Sequence, residues 1–275
     1  MVDNRNTTAR NSSGGLGRRR FFALAAGGAA AAAGTLIPAS AAQAHGDLTS
    51  YPGIWGQRTT DWNTSQLKSY KYRPAFHDQL NGWLRFWFET TEYFEKPIRV
   101  GLTAAHDDNM GTAHEQGRAI DLAGLTVTQS SGGTVSVFQA NYSVWKDLTG
   151  SVLAQFRRNY WATSASLHYH FRSVRTYPMG GRYRDSLHVD NLLSGSNTPA
   201  FNSSDKSQIF HVQASCRYIW GKGTTIDGMW NTESRRHAHE VLERIGKGGY
   251  IGDSKSHWQA FNRATLRKGY STEEY

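Results

Sequence analysis

The chain carries one cysteine, Cys216, and only six prolines in 275 residues. A lone thiol excludes a disulfide framework and any cysteine-built zinc cluster. Stability must therefore come from a packed core, and nine Trp, thirteen Tyr and twelve Phe supply its bulk. Beyond residue 44 the chain lacks an apolar run long enough to span a bilayer. It also lacks a dense Lys/Arg run and a repeat period. The formal charge is +9, and residues 1–44 hold five Arg against one Asp, which leaves about +5 scattered over the rest. So mild and dispersed a charge reads as a solvated surface. It suits contact with a wall of anionic polymers and could suit nucleic acid, but without a dense basic run the expected partner is peptidoglycan peptide and not nucleic acid.

Residues 1–44 read as an export signal. Arg18, Arg19 and Arg20 precede Phe21, Phe22 and an Ala- and Gly-rich apolar run to Ile37. Pro38 and the small residues up to Ala44 then form an A-x-A-type cleavage site. Paired arginines followed by two Phe look like a twin-arginine signal. The apolar run, about 17 residues, is short for a membrane anchor. The expectation is a protein that begins at His45 after processing, works outside the cytoplasm as a monomer, and has no membrane attachment once the signal is removed.

Phe76, Leu80, Trp83, Leu84 and Trp87 recur at helical spacing and predict a helix over residues 73–94. Ile98–Leu102, Gly117–Leu125, Val135–Phe138 and Ser186–Leu192 read as short strands, and Tyr142–Tyr160 as a helix. Ser194–Lys206, rich in Ser and Asn and containing Pro199, reads as a linker. It divides a first domain, 45–193, from a small, mostly helical one, 207–275. In the latter, Ala238, Val241, Leu242 and Ile245 fall at i, i+3, i+4 and i+7, with Thr232 as N-cap and Gly246 after the end.

Two segments carry chemistry. In His114-Glu115-Gln116-Gly117-Arg118-Ala119-Ile120-Asp121 a His and an Asp stand seven positions apart. In Asp185-Ser186-Leu187-His188 an acid precedes a His by three. Asp121 sits in an otherwise apolar strand pattern, sharing a face with Gly117 and Ala119, where a bare carboxylate is costly unless it meets a cation. His114 lies just before that strand, and His188 lies in another. Two imidazoles and a carboxylate form a three-ligand set that leaves a fourth zinc position for water. Asp185 is placed to take that water's proton.

Thr112–Leu122, T-A-H-E-Q-G-R-A-I-D-L, resembles the S-x-H-x-x-G-x-A-x-D signature of zinc D-Ala-D-Ala peptidases, which share a superfamily with lysostaphin-type endopeptidases and the hedgehog amino-terminal domain. Gly117–Gly124 is also similar to bacterial extensin-like proteins, and Asp185–Asp190 to the group's acid-x-x-His segment. The resemblance spans about Arg73 to Asn191. It implies an α+β fold whose small antiparallel sheet and flanking helices hold one Zn2+. By position, His114, Asp121 and His188 become the ligands and Asp185 the base. The implied activity is hydrolysis of D-amino-acid peptide bonds in peptidoglycan, by a carboxypeptidase or endopeptidase. A non-catalytic, zinc-containing wall-binding protein of the same fold is the alternative.

The chain departs from the group where an upstream Arg is usual. Thr103-Ala104-Ala105-His106 fills that slot, and Thr112 stands where Ser is common. His106, Thr112, Arg118 and Arg184 are the candidates for contacting substrate. His168-Tyr169-His170 has the His-x-His form of lysostaphin-like relatives; on a strand both imidazoles would share a face, so His168 and His170 offer an alternative ligand set. His237 and His239 read as exposed helix residues. Ile226-Asp227-Gly228-Met229-Trp230 is similar to a segment of peptidoglycan-binding domains, which would make the tail a wall-binding module.

Overall fold

The computed structural model describes residues 48–91, 93, 98–193, 195 and 197–271. The expected export signal lies outside the described residues, as do Ser194 and Ser196 of the expected linker. The described residues form one compact unit. It is an α+β structure, and among the described residues no helix is long and apolar enough to cross a membrane.

The strands are β1 (Thr49–Tyr51), β2 (Gly53–Ile54), β3 (Gln57–Asp61), β4 (Tyr70–Tyr72), β5 (Ile98–Ala104), β6 (Ala119–Thr128), β7 (Thr134–Gln139), β8 (Ser173–Arg175) and β9 (Leu187–Asp190). The helices are α1 (Pro74–Thr90), α2 (Thr112–Glu115), α3 (Tyr142–Trp145), α4 (Gly150–His170), α5 (Lys206–Tyr218), α6 (Thr232–Arg244) and α7 (Lys255–Tyr270). Among the described residues the main sheet runs β2-β3-β5-β6-β9-β8, with β7 also paired to β6. All its pairings are antiparallel except β3–β5. β6 is buried along most of its length, so it is apolar at consecutive positions rather than alternating.

Pro74 opens α1, its fixed φ suiting the first helical turn, and Arg73 before it is extended. The predicted apolar face, with Phe76, Leu80, Trp83, Leu84 and Trp87, is fully buried. The expected helix over Tyr142–Tyr160 is instead two helices. Gly150 has φ +61°, which an uninterrupted helix cannot hold, so α4 starts there and runs on to His170. From Tyr160 to His168 every residue of α4 is buried, which explains why that stretch shows no amphipathic pattern. Its residues 162–166 are small, and the backbone of α7 comes close: a Cβ on Gly269 would lie 2.3 Å from that of Ala162.

The expected boundary at 194–206 does not separate two bodies. Val212, Val241, Trp258 and Phe261 belong to the same apolar cluster as Trp83, Trp161 and Leu167. Trp258 also donates from its indole N–H to the carbonyl of His168 at 3.1 Å. Helices α5–α7 thus complete the core. The N-cap of α6 is Asn231, whose side chain accepts from the Ser234 amide; Thr232 is the first helical residue. His237, expected on the surface, is buried and bonded to Thr224 Oγ1 at 2.7 Å.

His168 is fully buried within this core, its ring 4.5 Å from that of His211, and neither of its nitrogens has a hydrogen-bond partner. Burial and the neighbouring His211 hold its pKa well below the ordinary value; burial pulls His211 down to about 3, only partly offset by a bond to Asn262. Both rings are therefore neutral in the fold and charge only when the chain unfolds. Stability is full above the ordinary His value, about 6.5, and falls as pH drops from there towards 3. In chelator, the melting temperature of His168→Leu should fall less between pH 7 and 5 than that of the parent chain, as thermal melts followed by circular dichroism would show.

Candidate metal centre

Asp121 is the third residue of β6 and lies directly opposite His188 of β9 and Ala104 of β5. Facing residues in a ladder project to the same side, so the pairing brings the carboxylate and the imidazole together. Nδ1 of His188 is 2.8 Å from Oδ1 of Asp121. His114 reaches the same oxygen from the short helix α2, with Nε2 at 3.6 Å. The route back from α2 to β6 needs a sharp turn at Gly117, φ +61°, where a Cβ would strike Leu48. Gly117 therefore serves the turn, and β6 begins at Ala119 rather than at Gly117 as expected. All three side chains are buried, and their ligand atoms lie within 4.8 Å of one another.

The remaining nitrogens are also engaged. Nδ1 of His114 donates to the carbonyl of Ala105, and Nε2 faces Asp121. That Nε2 is buried and has no hydrogen-bond partner. Nε2 of His188 donates to Oδ2 of Asp190 at 3.3 Å. Asp190 is in turn fixed by the Ser173 hydroxyl at 2.5 Å and the Leu192 amide at 3.1 Å. Each ring thus has one nitrogen tied to an acceptor and the other directed at Asp121. Such ties orient metal-binding histidines and select their tautomer.

Burial alone would raise the pKa of Asp121, but the neighbouring imidazoles of His114 and His188 outweigh it and hold the carboxyl at about 2. Burial also opposes charge on His188, and the bonds to Asp121 and Asp190 overcome it, raising its pKa. Asp190 is lowered by His188, Ser173 and Leu192 against its own burial. The pocket therefore holds two carboxylates around an imidazole that favours a proton, which is a site that stabilises positive charge. A divalent cation meets that demand with two nitrogens and one oxygen. No other His, Cys, Asp or Glu among the described residues completes the group, so a bound ion keeps a position for an exchangeable ligand.

The structure brings His114, Asp121 and His188 together, and the other candidates lie outside that group. The exposed Asp185 accepts from the amide and the hydroxyl of Ser143 at 2.9 and 3.2 Å, at the start of α3. Arg118, just before β6, donates to the side chain and carbonyl of Asn191. The guanidinium of the exposed Arg184 sits over Tyr142, 5.8 Å from its ring centre. His106 is 3.3 Å from Asp108, and Thr112 opens α2. His168 and His170 end helix α4 rather than lying on a strand; two positions apart on a helix they face different ways, His168 towards His211 and His170 towards Phe86. The alternative ligand set is thereby set aside. Sequence reasoning missed Asp190, although His188-Val189-Asp190 in a strand puts both side chains on one face.

Comparison with protein-family models, with curated proteins and with solved structures returned no match.

Asp121→Asn should abolish stoichiometric metal binding. Asp190→Asn, which keeps the shape but removes the charge behind His188, should weaken it roughly 10- to 100-fold, as competition with a fluorescent chelator would measure. Because His188 favours a proton, affinity in the parent chain should fall as the pH is lowered.

Proposed function

We propose that the chain is a zinc-dependent peptidase that hydrolyses D-amino-acid bonds of bacterial peptidoglycan outside the cytoplasm. The observation that carries this reading is the buried His114–Asp121–His188 group, with each imidazole tied through its far nitrogen and the protein ligand count stopping at three. Catalytic zinc sites use such a set, whereas structural zinc sites close the shell with a fourth protein ligand. The likeness of Thr112–Leu122 and Asp185–Asp190 to zinc D-Ala-D-Ala peptidases selects the substrate class.

When bound, zinc polarises a carbonyl and brings the pKa of its water towards neutrality. The residues of the chain supply the rest. His114, Asp121 and His188 fix the ion's place on the sheet, and Asp190 and the Ala105 carbonyl stop the two rings from turning. Asp185 is the proton carrier in this reading: it accepts a proton from the attacking water and delivers it to the leaving amine. One water is consumed, the amide C–N bond breaks, and a carboxylic acid and an amine are released. Ser143 holds the Asp185 carboxylate by two donors and so sets its direction.

The same pair of bonds favours a second reading. A carboxylate committed to the start of α3 is a structural tie, and the chain would then be a metal-containing wall-binding protein without turnover. Asp185→Asn decides between them. The peptidase should keep its metal and its melting temperature while losing about 100-fold or more in turnover of peptides ending in D-Ala-D-Ala; a structural tie would show as a lowered melting temperature instead. Two-imidazole, one-carboxylate sets also suit ferrous iron. Metal analysis of the purified protein should find about one zinc per chain, and removal by chelator should stop cleavage and be reversed by zinc; iron in its place would refute the zinc assignment.

A further inference from the structure

The rim beside the metal centre carries two arginines whose role no observation above accounts for. Arg175 of β8 lies directly opposite His188 of β9, which itself faces Asp121. Facing residues share a side of the sheet, so Arg175 rises on the face that bears the candidate ligands. The Tyr183 ring is 5.6 Å from the His188 ring. The guanidinium of Arg175 is 5.4 Å from the centre of that same Tyr183 ring, and that of Arg182 is 5.1 Å from it. Arg182 also donates to the Tyr183 hydroxyl at 3.1 Å and reaches the Met110 carbonyl at 3.5 Å. Met110 belongs to the loop that leads into α2 and His114, so the arginine bridges the two segments that flank the centre.

Among the described residues no carboxylate pairs with Arg175 or Arg182. Two guanidiniums gathered on one aromatic ring repel each other, and an anion placed between them relieves that repulsion. The planar fork of a guanidinium matches a carboxylate by two parallel hydrogen bonds. We infer that Arg175 and Arg182, backed by Tyr183, bind a free carboxylate of the substrate next to the metal centre. This rests on the peptidase reading and narrows it. A substrate recognised through its terminal carboxylate is cut near its end, so the chain acts as a carboxypeptidase rather than an endopeptidase. It also gives the carboxylate contact to β8 and to the 3₁₀ turn Gly181–Tyr183, rather than to His106, Thr112, Arg118 or Arg184.

The test uses zinc-loaded protein and two probes, an N-acetylated tripeptide ending in D-Ala-D-Ala as the free acid and as the C-terminal amide. Binding is read by calorimetry, and cleavage is read separately by mass spectrometry. The free acid should bind about 10- to 100-fold more tightly than the amide, the range expected for bonds to a charged group. Arg175→Ala and Arg182→Ala should each remove most of that preference, with amide binding and zinc content unchanged; Arg175→Lys should restore part of it. Arg182 is exposed, so its variant remains informative if Arg175→Ala does not fold. Equal affinity for acid and amide, no binding of either, or an equal loss for both in the variants would overturn the assignment. Preferential binding of the acid without cleavage of either peptide would uphold the carboxylate site and remove the peptidase reading. Cleavage of both at equal rates, unaltered in the variants, would do the reverse.

Discussion

A carboxylate buried in the central strand of a sheet must be neutralised, and the arrangement around Asp121 follows from that need. Its oxygen lies between two imidazoles, one from a facing strand and one from a short helix. Removing a carboxylate from water costs several kcal/mol unless charge is returned to it. Two neutral histidines do not return it. A proton on His188 does so in part, and a divalent cation does so fully. The sheet register, the Gly117 turn and the ties to Ala105 and Asp190 all hold donors around this one charge.

The surrounding fold makes that arrangement rigid. β6 is held on one side by β5 and on the other by β9 and β7, so Asp121 cannot move without disturbing several ladders. Beneath the sheet, α4 is enclosed by α1, α5 and α7, and the C-terminal helices contribute to the same apolar cluster as the N-terminal half. Tryptophans tie the layers through polar contacts as well as packing, Trp83 to Ser166 and Trp220 to Thr265. Rigid support of this kind lets three ligands hold their geometry without a fourth from the protein.

Some elements were legible because one physical rule governs them. Helix α1 shows its face through helical spacing and a Pro at its start, and nothing in the fold overrides either signal. Asp121 stood out because a lone acid in an apolar strand demands a partner. Other readings failed where two structures share one composition. Ser, Asn and Pro at 194–206 suit a domain linker and a loop within one body equally, and here the described residues on both sides belong to one body. The His168–His170 pair closes a helix whose stretch from Tyr160 to His168 is buried at every position, so its segment has no period to distinguish it from a strand. Asn231 and Thr232 are both good caps, and the position of the first helical turn chose between them.

The sequence by itself determined the kinds of side chain available: a single thiol, abundant aromatics, and two short segments each bearing a histidine and an acid. It also determined the strand period that puts Asp190 behind His188. Only the tertiary structure decided which histidines meet Asp121, because that depends on the register of β9 against β6 and on the turn that swings α2 over the sheet. It alone placed Arg175 beside His188 and drew Asp185 to Ser143, since contacts between residues remote in the chain are set by how strands pair and helices pack, and no local spacing encodes them.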